Sequence, residues 1–183
     1  MPKDSHYSSV VIKLISEKTD NSEKILLLKD LVVSGYNGTR EYIEAVIASL
    51  KDLTSLEEEL DAINDALGVV EDKLLFINKQ RIAASYIDEN PQRSLTICSE
   101  IERKISVRDI QLKCHIKLAA TAESLDTKHC HLSAAKDSCE SIKQAEYAEI
   151  IKLASSLAAS YFVIGKSEDG YSILREFPGG ETE

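Results

Sequence analysis

The segment Ile82-Ala83-Ala84-Ser85-Tyr86 returns as Leu157-Ala158-Ala159-Ser160-Tyr161, 75 residues later, and Leu118-Ala119-Ala120-Thr121-Ala122 lies between them at steps of 36 and 39. A period of that size marks a stacked supersecondary unit, in which each copy buries its apolar face only against the next. The copies also continue alike. A turn follows eight residues after the first apolar residue, at Asn90, Asp126 and Gly165. A second amphipathic stretch comes next: Leu95 to Ile105, Leu132 to Ile142 and Tyr171 to Phe177. Each copy therefore reads as a helical hairpin.

The rest of the chain supports an all-α reading. Gly and Pro number only 7 and 3, and neither occurs between Gln92 and Ile164, whereas a β-sandwich or barrel needs turn residues far more often. Apolar residues recur at helical spacing: Leu74, Ile77, Ile82 and Ile87; Leu112, Ile116 and Ala119; Ile150, Leu153, Leu157 and Ile164. Helix caps are expected at Ser22, at Thr39, and at Ser55 with Glu58 as a capping box. The acidic run Glu57-Glu58-Glu59 with Asp61 suits a helix start and a solvated face. Five hairpins result, near residues 5–34, 39–68, 71–105, 108–143 and 145–177, in one helical-repeat domain spanning 1–183 with 178–183 as a disordered tail.

The pattern resembles the tetratricopeptide repeat family, whose hairpin carries a small residue in the first helix, an aromatic three residues on, a Gly at the turn and a small residue in the second helix. Ala158, Tyr161, Gly165 and Gly170 match in the last unit. Ala83, Tyr86 and Asn90 match in the first of the three, with Leu95 at the place of the second small residue. The middle unit keeps Ala119 but has Ala122, Asp126 and His131 at the other places. The hairpins Ile12 to Val33 and Ile43 to Leu67 share the shape without the signature. The resemblance implies a right-handed α-α superhelix, a tetratricopeptide-like solenoid of about five hairpins, whose alanines and tyrosines are packing residues.

By the same resemblance, first helices line a concave groove at Ile77, Gln80, Ala84 and Ile87, then Lys113, Ile116, Ala120 and Glu123, then Lys152, Ser155, Ala159 and Phe162, with Arg81 and Lys117 beside them. Small central residues leave room for a peptide or helix. Arg81, Lys113, Lys117 and Lys152 would favour an acidic or C-terminal carboxylate ligand. Carboxylate-binding members pair Lys with Asn in the groove, and no Asn stands at those positions here. The alternative is that these lysines are ordinary solvated charges. The expected function is a non-catalytic adaptor that receives a segment of a partner protein.

Charge and cysteine usage narrow the field further. With 22 Lys+Arg against 31 Asp+Glu and a net charge of −9, nucleic acid and anionic membranes are poor partners. No apolar run approaches the roughly 18 residues of a membrane span. The opening residues lack an apolar signal core and the four cysteines follow no disulfide pattern, so reduced thiols in the cytoplasm are expected. Cys114, His115, His129, Cys130, His131 and Cys139 crowd one hairpin and raise the alternative of a small enzyme or metal-dependent sensor at 108–143. Spacing counts against a single zinc site, because Cys114 and His129 stand about 20 Å apart along a helix while zinc ligands meet at about 2.0–2.3 Å. Weak metal binding by His129 and His131, and a meeting of Cys114 with Cys139, stay open. No nucleotide, metalloprotease or hydrolase motif occurs, so neither cofactor nor catalytic residue is expected. Finally, no capping helix follows Ile173, Leu174 and Phe177, which predicts self-association through the C-terminal hairpin.

Overall fold

The computed structural model describes residues 5–101, 107–138 and 144–179. Every regular element among them is helical. The chain divides into two compact units, Met1–Ile82 and Ala83–Glu183, where the sequence led to one array, and the division falls inside a helix.

The first unit contains α1 (Ser5–Ser16), α2 (Asn21–Val33), α3 (Thr39–Ser49) with a 3₁₀ turn at Leu50–Asp52, α4 (Leu56–Leu67) and most of α5 (Lys73–Ser85). Successive helices from α1 to α4 pack on one another. The core draws on Leu28 and Leu31 of α2, on Tyr42, Ile43 and Val46 of α3, and on Leu60 and Ile63 of α4. The α4 start follows the expected capping box: Ser55 Oγ accepts from the Glu58 amide and Glu58 accepts from the Ser55 amide, both at 3.2 Å. The other two caps differ. Asp20 rather than Ser22 caps α2, accepting from the Ser22 amide at 2.8 Å, because a carboxylate two residues earlier reaches the free amides first. Gly38 precedes α3, and Thr39 is already helical.

The second unit contains α6 (Pro91–Ser99), α7 (Arg108–Thr121), α8 (Leu125–Ser138), α9 (Gln144–Val163) and α10 (Ser167–Glu176). Each packs on the next, and α7 also meets α9. Asn90 caps α6 through the Arg93 amide at 3.0 Å, and Pro91 sits where its missing N–H costs nothing. The core joins Leu112, Ile116 and Ala119 of α7, Leu132 and Ala135 of α8, Ile150, Ala154, Leu157, Ala158 and Tyr161 of α9, and Ile173 with Phe177.

Two glycines shape the α9–α10 hairpin. Gly165 has φ +79°, and its neighbours close a Schellman turn: the Lys166 amide donates to the Tyr161 carbonyl at 2.9 Å and the Gly165 amide to Phe162 at 3.1 Å. Gly170 permits contact between α9 and α10; a Cβ there would lie 2.7 Å from Phe162 Cε1. In the α5–α6 hairpin the small contact residue is Ser94, one position before Leu95. Its buried hydroxyl donates to the Ala83 carbonyl at 2.6 Å. The chain stays placed slightly past the expected end, with Tyr147 Oη donating to the Pro178 carbonyl at 3.0 Å. Gly180 to Glu183 lie outside the described residues.

Candidate functional site

A groove of about 450 Å³ opens in the second unit where the end of α5, the middle of α7 and the start of α9 converge. Helical periodicity explains which residues reach it. On α7, Lys113, Ile116 and Lys117 share one face at three- and four-residue steps. On α9, Ala145, Glu146 and Glu149 do the same, and Ala84, Ile87 and Asp88 complete the wall. The apolar lining comes from Ile87 and Ile116, with Ala84 and Ala145 keeping the space open. Ile116 is itself buried, so it joins the groove lining to the core behind it.

Four expected groove positions, Ala84, Ile87, Lys113 and Ile116, line this groove together with the flanking Lys117. Others lie elsewhere. Lys152 and Ser155 are exposed one and two turns further along α9, because the groove closes on the first turns of that helix rather than on its Ala-Ala motif. Phe162 turns to α10, where its ring meets Tyr171 edge-on at a centroid distance of 5.1 Å. Gln80 and Arg81 belong to the first unit, and there Arg81 forms an ion pair with Glu59 on α4.

The charges around this groove are of both signs. Lys117 Nζ pairs with Asp88 across the groove edge, which cancels both charges. Lys113 is exposed and has no ion pair among the described residues. Opposite it stand Glu146 and Glu149, neither anticipated as a groove residue. Glu146 Oε2 is buried and has no hydrogen-bond partner among the described residues. The unpaired charge in the groove is thus two carboxylates against one ammonium. A sequence signal did exist for the α9 pair, since Glu146 and Glu149 stand three residues apart before the Ala-Ala segment, but it is common in an acidic chain.

The Cys and His residues of hairpin 108–143 scatter among different partners. Cys114 is buried on α7, near Cys98 of α6. Burial first, then the neighbouring Cys114, pushes the Cys98 thiol up to about 12, and burial raises Cys114 as well, so both stay protonated. His115 Nδ1 lies 3.2 Å from His131 Nδ1. Burial, then the second imidazole, lowers the His115 pKa. His129, on α8 rather than on the helix of Cys114, approaches Glu176 Oε2 at 2.7 Å. Cys130 is exposed, and Cys139 lies outside the described residues. Among the described residues no three His, Cys, Asp or Glu side chains are grouped to hold a metal ion.

A clasp joins α8 to α10. Ser133 Oγ donates to Glu176 Oε1 at 2.6 Å and Lys136 Nζ to the Glu176 carbonyl at 2.7 Å, beside the His129 contact. Burial alone would raise the Glu176 pKa. The Ser133 and His129 hydrogen bonds, with the His129 and Lys136 charges, outweigh it and hold the carboxyl below its usual range. At the same end, Ile173 and Phe177 are buried in the core, whereas Val163, Ile164, Tyr171 and Leu174 are exposed.

No family model, curated protein or solved structure matches the chain. Among the described residues no helix is long and apolar enough to cross a membrane.

Proposed function

We propose that the hairpins of the second unit are repeats of the tetratricopeptide type, and that the protein is a non-catalytic cytoplasmic adaptor whose groove between α5, α7 and α9 receives a segment of a partner protein. The observation that carries this reading is the groove itself. It gathers corresponding faces of α7 and α9, has an apolar lining at Ile87 and Ile116, and is kept open by Ala84 and Ala145. A cavity of about 450 Å³ is of the size that takes a few side chains of a peptide or one small molecule. The packing of α7 on α9 and the close contact at Gly170 support the repeat assignment.

Selection from a displayed library of random 12-residue peptides, against the whole chain, tests the groove. Selected peptides should lose at least tenfold in affinity for Ala145→Trp, which fills the groove from an exposed position, while the helical circular dichroism and melting curve stay unchanged. A library that yields no binder, or binders indifferent to Ala145→Trp, refutes the reading.

Self-association is the second reading, carried by the exposed Val163 and Ile164 at the end of α9 and Tyr171 and Leu174 on α10. Sedimentation should show a concentration-dependent dimer that Tyr171→Glu with Leu174→Glu dissolves; a monomer at all concentrations overturns it.

A further inference from the structure

We propose that the groove selects a partner segment through an arginine side chain, with Glu146 as the receptor for its guanidinium. This rests on the groove reading above and names the chemistry of its partner.

The starting observation is the Glu146 carboxylate. One of its oxygens is buried without any hydrogen-bond partner among the described residues, and the residue lines the groove. The side chain as a whole is half-buried, so a ligand seated in the groove can bring a donor to a carboxylate that the described residues leave without one. The second observation is the charge balance. Lys117 and Asp88 cancel by pairing with each other, which leaves Glu146 and Glu149 against Lys113. Lys113 is exposed and its flexible ammonium can remain in water, whereas the Glu146 side chain is half-buried on the groove wall. The best complement is therefore a cation carrying several donors.

Shape then favours arginine over lysine. Glu146 and Glu149 stand three residues apart on one face of α9, and a planar guanidinium with five donors in a fork can serve two carboxylates at once. An ammonium is a compact, strongly hydrated charge and gives up more on leaving water. The methylene stem of an arginine would lie along Ile87 and Ile116, the apolar part of the groove. A net charge of −9 on the whole chain adds long-range attraction for a basic segment. The acidic ligand expected from the lysines alone does not fit this balance.

The test uses the peptides selected by the whole chain. They should be enriched in arginine, and the strongest binder, made synthetically with a fluorescent label and measured by anisotropy, should lose at least tenfold when its arginine is replaced by citrulline, which keeps the shape but not the charge. Glu146→Gln should cause a loss of the same size in the protein, with Glu149→Gln causing a smaller one, and citrulline should cost little more once Glu146→Gln is present. Raising the salt concentration should weaken wild-type binding more than Glu146→Gln binding. Selected peptides that lack arginine, or that carry acidic residues in its place, overturn the proposal while leaving the groove reading intact. So does an arginine peptide that tolerates citrulline. Failure to select any peptide overturns both.

Discussion

Replacing Gly170 by alanine tests the contact that makes the last hairpin resemble a tetratricopeptide repeat. Inside a helix this change is ordinarily favourable by about 1 kcal/mol, since alanine restricts the unfolded chain and has the better helix propensity. Here the new Cβ would stand 2.7, 2.9 and 3.0 Å from three atoms of the Phe162 ring. Ordinary contact begins near 3.4 Å, so the ring would have to retreat by about 0.7 Å, and it is held on another side by the edge of Tyr171. Overpacking of that kind costs about 1–3 kcal/mol. The balance is a destabilisation of about 1 kcal/mol where an open site would give a gain of the same size. Urea unfolding followed by helical circular dichroism reads the sign directly. In a Phe162→Leu background the clash is relieved, and Gly170→Ala should then stabilise. Gly68→Ala supplies the control, because its Cβ would sit at 3.4 Å from the nearest atom with an ordinary helical φ of −67°, and a gain of about 0.4–1 kcal/mol is expected. A stabilised Gly170→Ala protein would refute the close approach of α9 and α10.

Three further outcomes follow from other parts of the fold. Gly165→Ala should cost about 1–2 kcal/mol in urea unfolding from backbone strain alone, since φ is +79° and nothing stands within 4 Å to clash; a neutral result would remove the left-handed turn. Ser94→Ala should cost about 0.5–1.5 kcal/mol, the net worth of one hydrogen bond, because the Ala83 carbonyl loses the Ser94 hydroxyl but keeps the Tyr86 amide at 3.2 Å. His115 has a folded pKa below its ordinary 6.5, so near and below pH 6.5 the unfolded chain binds the proton more readily and stability falls with pH. That contribution is fully present above pH 6.5, and plots of stability against pH from 7.5 downward should be flatter for His115→Gln than for wild type; equal slopes would exclude the buried His115 as the cause.

The hairpins were legible in the sequence because their signals are local. The Ala-Ala motifs, Asn90-Pro91, the Ser55 capping box and Gly165 act within a few residues of themselves, and the helix starts and stops fall beside them. The caps at Ser22 and Thr39 were misplaced by one or two residues because several polar side chains near a helix start compete for the same amides. Leu95 was read as a departure from the signature for a similar reason: the contact depends on how α6 is rotated, which puts Ser94 against Ala83. The middle hairpin packs through Ala119, Leu132 and Ala135, and it places His131 against His115 instead of a small residue.

Groove charge was much harder to read, and the reason is general to helical hairpins. Periodicity tells which residues share a face, so Lys113, Ile116 and Lys117 could be assigned together. It does not tell which opposite charge a neighbouring helix brings, and the net character of a groove is set by what remains after such pairs form. Asp88 lies in the turn after α5 and neutralises Lys117 from 29 residues away. Glu146 and Glu149 enter because α9 begins about four turns before its Ala-Ala motif, a length that the repeat period alone does not specify. Counting Arg81, Lys113, Lys117 and Lys152 on the first helices therefore pointed to an acidic ligand, whereas the assembled groove leaves carboxylates in excess and one buried carboxylate oxygen without a partner among the described residues. On the proposed reading, the specificity of the groove resides in the charges its own helices leave unpaired, which among the described residues are Glu146 and Glu149 against Lys113.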